Sequence, residues 1–259
     1  MQALAYKVRI FAKTYDDSSM IRIFPRLRYV LLILALLPLS LERGYAQTFE
    51  DYLQPDRPEQ SEGVRITAPG RLQVEWGIGA SSHAKMAGLM LRYGIIQDLE
   101  VRLEGIMRKR GGDTPRFTNL NLSSKLNLFS GEGLIPAMTL VGYLSYAPDF
   151  QSRPVTSDLC LAFENAVTSE LALTYNLASS DGMRGLFVVT ELSYTPSKRW
   201  NCFVEYYGNF RTYYHPEHGA DIGMRYALSP SLELELCYGR THSSYDPISY
   251  ASLGGTWRL

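Results

Sequence analysis

Beyond residue 70 the chain alternates apolar and polar residues with a period of two. In "RLQVEWGIG", Leu72, Val74, Trp76 and Ile78 share one face, and Arg71, Gln73 and Glu75 share the other. "LEVRLEG" sets Leu99, Val101 and Leu103 against Glu100, Arg102 and Glu104. "LNLSSKLNLF" sets Leu120, Leu122, Leu126 and Leu128 against Asn121, Lys125 and Asn127. The same holds for "ELALTYNLA" (Leu171, Leu173, Tyr175, Leu177), "WNCFVEYYGNF" (Trp200, Val204, Tyr206, Phe210) and "LELELCYG" (Leu232, Leu234, Leu236, Tyr238). With weaker segments included, the alternation predicts about twelve strands, at 70–80, 85–95, 98–108, 117–129, 136–146, 158–167, 169–179, 185–195, 199–211, 217–228, 231–240 and 248–259. They are roughly ten to thirteen residues long, enough for a tilted strand to cross a bilayer.

The connections carry independent information. "IQD", "TS", "PSKR" and "SPS" are short, and "SGEGLI" is modest, whereas "KRGGDTPR", "APDFQSRPVTS" and "THSSYDP" are longer and polar. Short and long connections alternating along the chain place the tight turns at one end of the sheet, as in outer-membrane barrels with short periplasmic turns. An even strand number returns both ends of the barrel to that side.

Alternation alone does not say which face points outward. A secreted lipocalin-like barrel, polar outside and apolar inside, has the same period. Aromatics near strand ends (Tyr143, Tyr146, Tyr194, Trp200, Tyr226) favour membrane girdles. So does the final strand "SLGGTWRL", with Leu253, Trp257 and Leu259 on one face. The expected fold is therefore all-β: a closed antiparallel transmembrane β-barrel of about twelve strands over 70–259, with no exposed sheet edge.

The start of the chain fits this destination. Arg22, Arg26 and Arg28 precede "YVLLILALLPLSL", an apolar run too short to span a bilayer as a helix. "RGYAQT" then offers small residues at Gly44 and Ala46. The expectation is a secretory signal peptide with a start at Met20, an upstream extension over 1–19, and cleavage after Ala46.

Composition narrows the function classes. The formal net charge is +0, so no basic surplus exists to neutralise nucleic-acid phosphates, and no nucleic-acid partner is expected. Three dispersed cysteines, Cys160, Cys202 and Cys237, give neither a metal spacing nor a disulfide framework. The histidines His83, His215, His218 and His242 fall in expected loops or strand ends, without a serine partner at an informative spacing. "HPEH" offers two metal ligands and no clear third. No catalytic residue, cofactor or metal is expected, and no enzyme activity. Outer-membrane lipid and the barrel-assembly machinery are the expected partners, with a small solute of unknown identity.

With apolar faces outward, the lumen receives Glu75, Arg92, Glu100, Arg102, Glu104, Lys125, Glu164, Glu170, Glu191, Glu205, Arg211, Asp221, Arg225, Glu233 and Glu235. Strand spacing and tilt give twelve strands a backbone radius of roughly 12 Å, which side chains largely fill. A narrow or blocked polar pore follows. The charges either brace the interior or select a small solute.

"DRPEQSEGVRITAPGRLQVEWGIG", followed by "LMLRYGIIQDLEVRLEG", resembles a bacterial family named for the MetA pathway of phenol degradation. Asp56, Arg57, Pro58, Gln60, Ser61 and Glu62 match its first element, with Glu59 where Asp is common. Gly70, Gln73, Glu75 and Gly77 match the second, and Leu91, Arg92, Tyr93, Gly94, Leu99, Glu100 and Arg102 the third. "FVEYYGNF" resembles a later strand of that family. The resemblance implies an outer-membrane β-barrel, loosely a transporter, in the cell outer membrane of a Gram-negative bacterium. An outer-membrane lipid hydrolase and a structural or adhesive barrel are the alternatives.

Residues 47–69 are expected to form a periplasmic or plug segment. In that reading Arg57 reaches an acid-rich lumen, toward Glu100 or Glu104, while Glu59 and Glu62 meet Arg92 or Arg102. Pro58 stiffens the stretch. The alternative is a free periplasmic leader.

Overall fold

A computed structural model describes residues 53, 55–56, 60–149, 153–212, 214–242 and 247–259. The signal peptide, its start and its cleavage point lie outside the described residues, as do Arg57 and Glu59.

The alternating segments form β1 (Leu72–Ser81), β2 (Ala84–Ile96), β3 (Leu99–Arg110), β4 (Arg116–Phe129), β5 (Ala137–Tyr146) and β6 (Val155–Ala166). They continue as β7 (Leu171–Ser180), β8 (Gly185–Ser197), β9 (Trp200–Arg211), β10 (Glu217–Ser229), β11 (Leu232–His242) and β12 (Ile248–Arg258). Each strand pairs antiparallel with the next, and β1 pairs with β12, so the sheet closes into a barrel without an edge. Every expected span overlaps its strand. The largest difference is at β6, which begins at Val155 because Val155 and Thr156 pair with Tyr146 and Ser145.

The apolar face points outward. Leu89, Leu103, Leu122, Leu192, Ile222 and Leu236 are exposed around the wall, while Glu75, Glu100, Lys125 and Glu205 are buried inside it. A continuous exposed apolar band of this kind is unfavourable in water and suits lipid, which settles the lipocalin alternative by face. Trp200 and Tyr226 pack against each other at a tilt of 49°, with ring centroids 4.6 Å apart. Tyr143 departs from the expected girdle: it is buried, on the inward face of β5 with Val141 and Ser145. Proximity to a strand end is a weaker cue than parity, and Leu144 and Tyr146 already claim the outward face.

Turns 97–98, 198–199 and 230–231 lie at the end where β1 starts and β12 finishes. The opposite end carries the longest connection, 147–154, but also the tight 82–83 turn, and the 130–136 connection lies at the first end, so the alternation of lengths is imperfect. Three of the tight hairpins carry a register shift just before the turn, at Gly94/Ile96, Tyr194/Ser197 and Ala227/Ser229. The reason is parity. A plain two-residue turn at 97–98 would pair Ile96 with Leu99 and therefore Tyr93 with Arg102, an outward residue against an inward one. One extra residue before the turn restores agreement, pairs Arg92 with Arg102, and leaves Ile95 and Ile96 both exposed.

Candidate functional site

The register places like charges side by side inside the barrel. On one wall Arg92 of β2 lies opposite Arg102 of β3, while the neighbouring Lys125 of β4 faces an unlike charge, Glu100. On the other wall Glu191 of β8 lies opposite Glu205 of β9, which lies opposite Asp221 of β10. Directly opposed like charges destabilise a sheet unless something is placed between them. What lies between them is the chain that precedes β1.

The segment enters the lumen beside Gly94. Gly70 N donates to Gly94 O at 2.8 Å, and Gly94 N donates to Arg71 O at 3.2 Å. A Cβ at Gly94 would lie 2.3 Å from Thr67 O and 2.2 Å from Ala68 O, so only glycine lets the two backbones approach. Thr67 N donates to Glu100 at 2.7 Å, and Thr139 Oγ1 donates to Val64 O at 2.7 Å. Asn176 holds both sides of Glu62: it accepts from the Glu62 N–H at 2.7 Å and donates to the Glu62 carbonyl at 2.9 Å. Gly63 N donates back to Asp56 Oδ1 at 3.2 Å, so these two residues lie side by side in the bore.

Asp56 is the hub. Its Oδ2 lies 3.2 Å from Arg92 Nη1 and accepts from Arg102 Nη1 at 2.8 Å. Both its oxygens accept from Lys125 Nζ at 3.0 Å. Its own N–H donates to Glu75 at 3.2 Å. Arg102 Nη1 also donates to Glu62 Oε2 at 2.7 Å, and the Tyr143 hydroxyl donates to Glu62 Oε1. Arg92 is further held by Glu75 at 2.8 Å and by Glu100 at 2.9 Å. Arg92, Glu75, Glu100 and Lys125 are no more than 1% exposed, so at this level the bore is filled. Burial alone would raise the Asp56 carboxyl, but Arg92, Lys125 and Arg102 outweigh it and hold the group well below its ordinary range. Burial also opposes ionisation of Glu62, and Arg102 and Lys125 reverse this to lower it.

At the far wall the segment uses its backbone instead. Gln60 N donates to Glu205 Oε1 at 2.8 Å, and Ser61 N donates to Glu205 Oε2 at 2.7 Å. The Ser61 hydroxyl donates to Glu191. Asp221 accepts from the Tyr250 hydroxyl at 2.7 Å. Tyr207 and Phe203 lie over Gly219 and Gly223, where a Cβ would meet the rings at 2.2 Å in both cases.

Of the remaining candidates, Glu104 accepts from Asn121 at 2.8 Å. Arg225 donates to Asn201 at 3.0 Å and lies 4.0 Å from Glu191. Glu235 is buried opposite Gly254. Glu233 lines a cavity of about 490 Å³ that reaches from the 198–199 turn to Asp56 and Ser61, with Arg65, Glu164 and Arg225 in its wall. Thus Glu62 meets Arg102, while Glu100 and Glu104 are engaged by Arg92 and Asn121. Lys125 and Glu191 sit in the expected lumen set, but their contact with the segment was not foreseen, nor was that of Asn176, Thr139 or Tyr143. The outward His218 lies 2.6 Å from the Tyr206 hydroxyl. Among the described residues no group of three or more His, Cys, Asp or Glu is placed to hold a metal.

No protein-family model matches the chain, and no match was found among curated proteins by sequence. Among solved structures it is similar to the KdgM porin, with TM-score 0.57 and 8% identity over 71% of this chain and 98% of that one. It is similar to the NanC porin, with TM-score 0.56 and 10% identity over 73% and 100%. It is also similar to an outer membrane channel from Pseudomonas putida F1, with TM-score 0.57 and 10% identity over 80% and 100%. At such identities the likeness concerns the fold: this is a porin-like closed barrel.

Proposed function

We propose that the protein is an outer-membrane channel for small polar or aromatic solutes, with its bore closed by the described residues of the segment before β1, 53, 55–56 and 60–69. The tight-turn end then faces the periplasm, where the segment follows signal cleavage. The observation that carries this reading is the segment itself, threaded across a polar lumen inside an apolar exterior. A barrel serving only as a scaffold or adhesin has no evident use for a buried, charge-matched crossing of its bore. The finer kinship, with the family named for phenol degradation, rests on the motifs quoted above and says little about the solute.

Planar-bilayer recording tests the proposal. The intact protein is expected to conduct little, and deletion of residues 53–67 to raise conductance several-fold. Because that deletion exposes the charged walls and can impair assembly, a second variant, Thr139→Val with Asn176→Leu, loosens the segment while keeping the charge cluster. It is expected to show brief openings. If neither variant conducts while both retain a folded, heat-modifiable band, the protein is not a channel closed by this segment.

A further inference from the structure

The segment reveals what its binding wall is built to hold. Arg92 is held by two carboxylates of the wall, Glu75 and Glu100. Among the described residues the ion pairs of Arg102 and Lys125 run to the segment, to Asp56 and Glu62. Four adjacent strands, β2 to β5, thus aim Arg92, Arg102, Lys125 and Tyr143 at a place filled by two carboxylates of a peptide. Both converge on one atom, Arg102 Nη1, at 2.8 and 2.7 Å. The same peptide satisfies the facing carboxylates of Glu205 and Glu191 with N–H and O–H donors. A ligand replacing it needs acid on one side and hydrogen-bond donors on the other. A cavity of about 490 Å³ runs from the tight-turn end to Asp56 and Ser61, so the occupant of this place, rather than its basic wall, borders the open space.

We infer that Arg102, Lys125 and Tyr143 form a transit site for small hydroxylated carboxylic acids, and that Asp56 and Glu62 occupy it as stand-ins when the bore is closed. The inference rests on the channel reading and adds to it a substrate class. Carboxylate binds the forked guanidinium and the ammonium, and hydroxyls replace the Gln60 and Ser61 donors at Glu205 and Glu191. A neutral polyol meets only half of these demands. A tethered occupant has a high effective concentration, so a solute must compete with it, and passage is coupled to displacement of the segment.

The test is chemical rescue in the full chain, with Asp56→Ala and Glu62→Ala together. In micelles, gluconate is compared with glucitol and with sodium chloride at matched ionic strength. Gluconate is expected to bind saturably by calorimetry and to raise the thermal midpoint of the double variant by several degrees. Glucitol and chloride are expected to do neither, and adding Arg102→Gln to abolish the effect. Chloride matching gluconate, or rescue surviving Arg102→Gln, overturns the inference. If the double variant folds poorly, refolding yield with each additive gives the same reading: selective recovery with gluconate supports the site, and its lack overturns it. Binding is read without current, so a gluconate site in a protein that never conducts would sink the channel and leave the site.

Discussion

The two walls of the lumen solve one problem in opposite ways. On β2 to β4 the sheet juxtaposes Arg92 and Arg102 beside Lys125, and the segment answers with whole charges, Asp56 and Glu62. On β8 to β10 it juxtaposes Glu191, Glu205 and Asp221, and among the described residues the segment answers with dipoles, two backbone N–H groups and a serine hydroxyl, beside the Tyr250 hydroxyl at Asp221 and Arg225 at 4.0 Å from Glu191. A guanidinium buried without a counter-charge is costly to leave, whereas a carboxylate is well held by several N–H and O–H donors. The basic wall is therefore the anchor of the segment and the acidic wall its rest. Loss of charge should be punished on the first side and tolerated on the second.

The largest effect is expected at Asp56, which touches all three bases. Asp56→Asn keeps the shape and removes the charge, leaving buried cations under-compensated at a cost of about 3–5 kcal/mol. The midpoint of urea unfolding in lipid checks this. A loss below about 1 kcal/mol, the worth of an exposed pair, would mean that the cluster is wet and that the walls do not differ in kind.

Acid sharpens the same comparison. Asp56 and Glu62 are depressed in the folded state from ordinary values of 3.8 and 4.5. A depressed folded value means stability fully present above the ordinary value and lost as pH falls below it toward the folded one. The wild-type midpoint should hold at neutral pH and begin to fall below about pH 4.5, earlier for Glu62 than for Asp56. Asp56→Asn should flatten part of that fall. A variant with the full wild-type acid slope would place the responsible carboxylates elsewhere.

Much of this architecture is legible in the residues. The twelve strands and their inward charges follow from period two, because one face must meet lipid. The parity conflict at the 97–98 turn is also legible: "LMLRYGII" and "LEVRLEG" cannot both keep their apolar faces outward in a plain two-residue hairpin. The resulting bulge sets Arg92 against Arg102 and so creates the need for an internal counter-charge. What local pattern does not carry is which residue answers. Asp56 and Glu62 lie in a stretch with no periodicity, and Asp56 is separated from Lys125 by 69 positions. Their placement depends on closure of the barrel and on the gap at Gly94. The lumen as a whole holds more acids than bases, and that sum hides two walls of opposite sign.

The smallest effects are expected on the acidic wall, and they decide whether the comparison holds. Glu205→Ala removes the acceptor of two buried N–H groups and should cost about 1–3 kcal/mol. Glu205→Gln keeps one acceptor oxygen but faces the second N–H with an amide donor, a loss of about 1 kcal/mol. It also removes the central charge of the Glu191, Glu205 and Asp221 row, a relief of about 0.2–1 kcal/mol. The two terms nearly cancel, so Glu205→Gln should fall within about 1 kcal/mol of wild type by urea midpoint. Its bore should stay closed in planar bilayers, because the anchor on the other wall is untouched. A Glu205→Gln variant as unstable as Asp56→Asn would show that this wall also depends on charge, and the division between anchor and rest would fail.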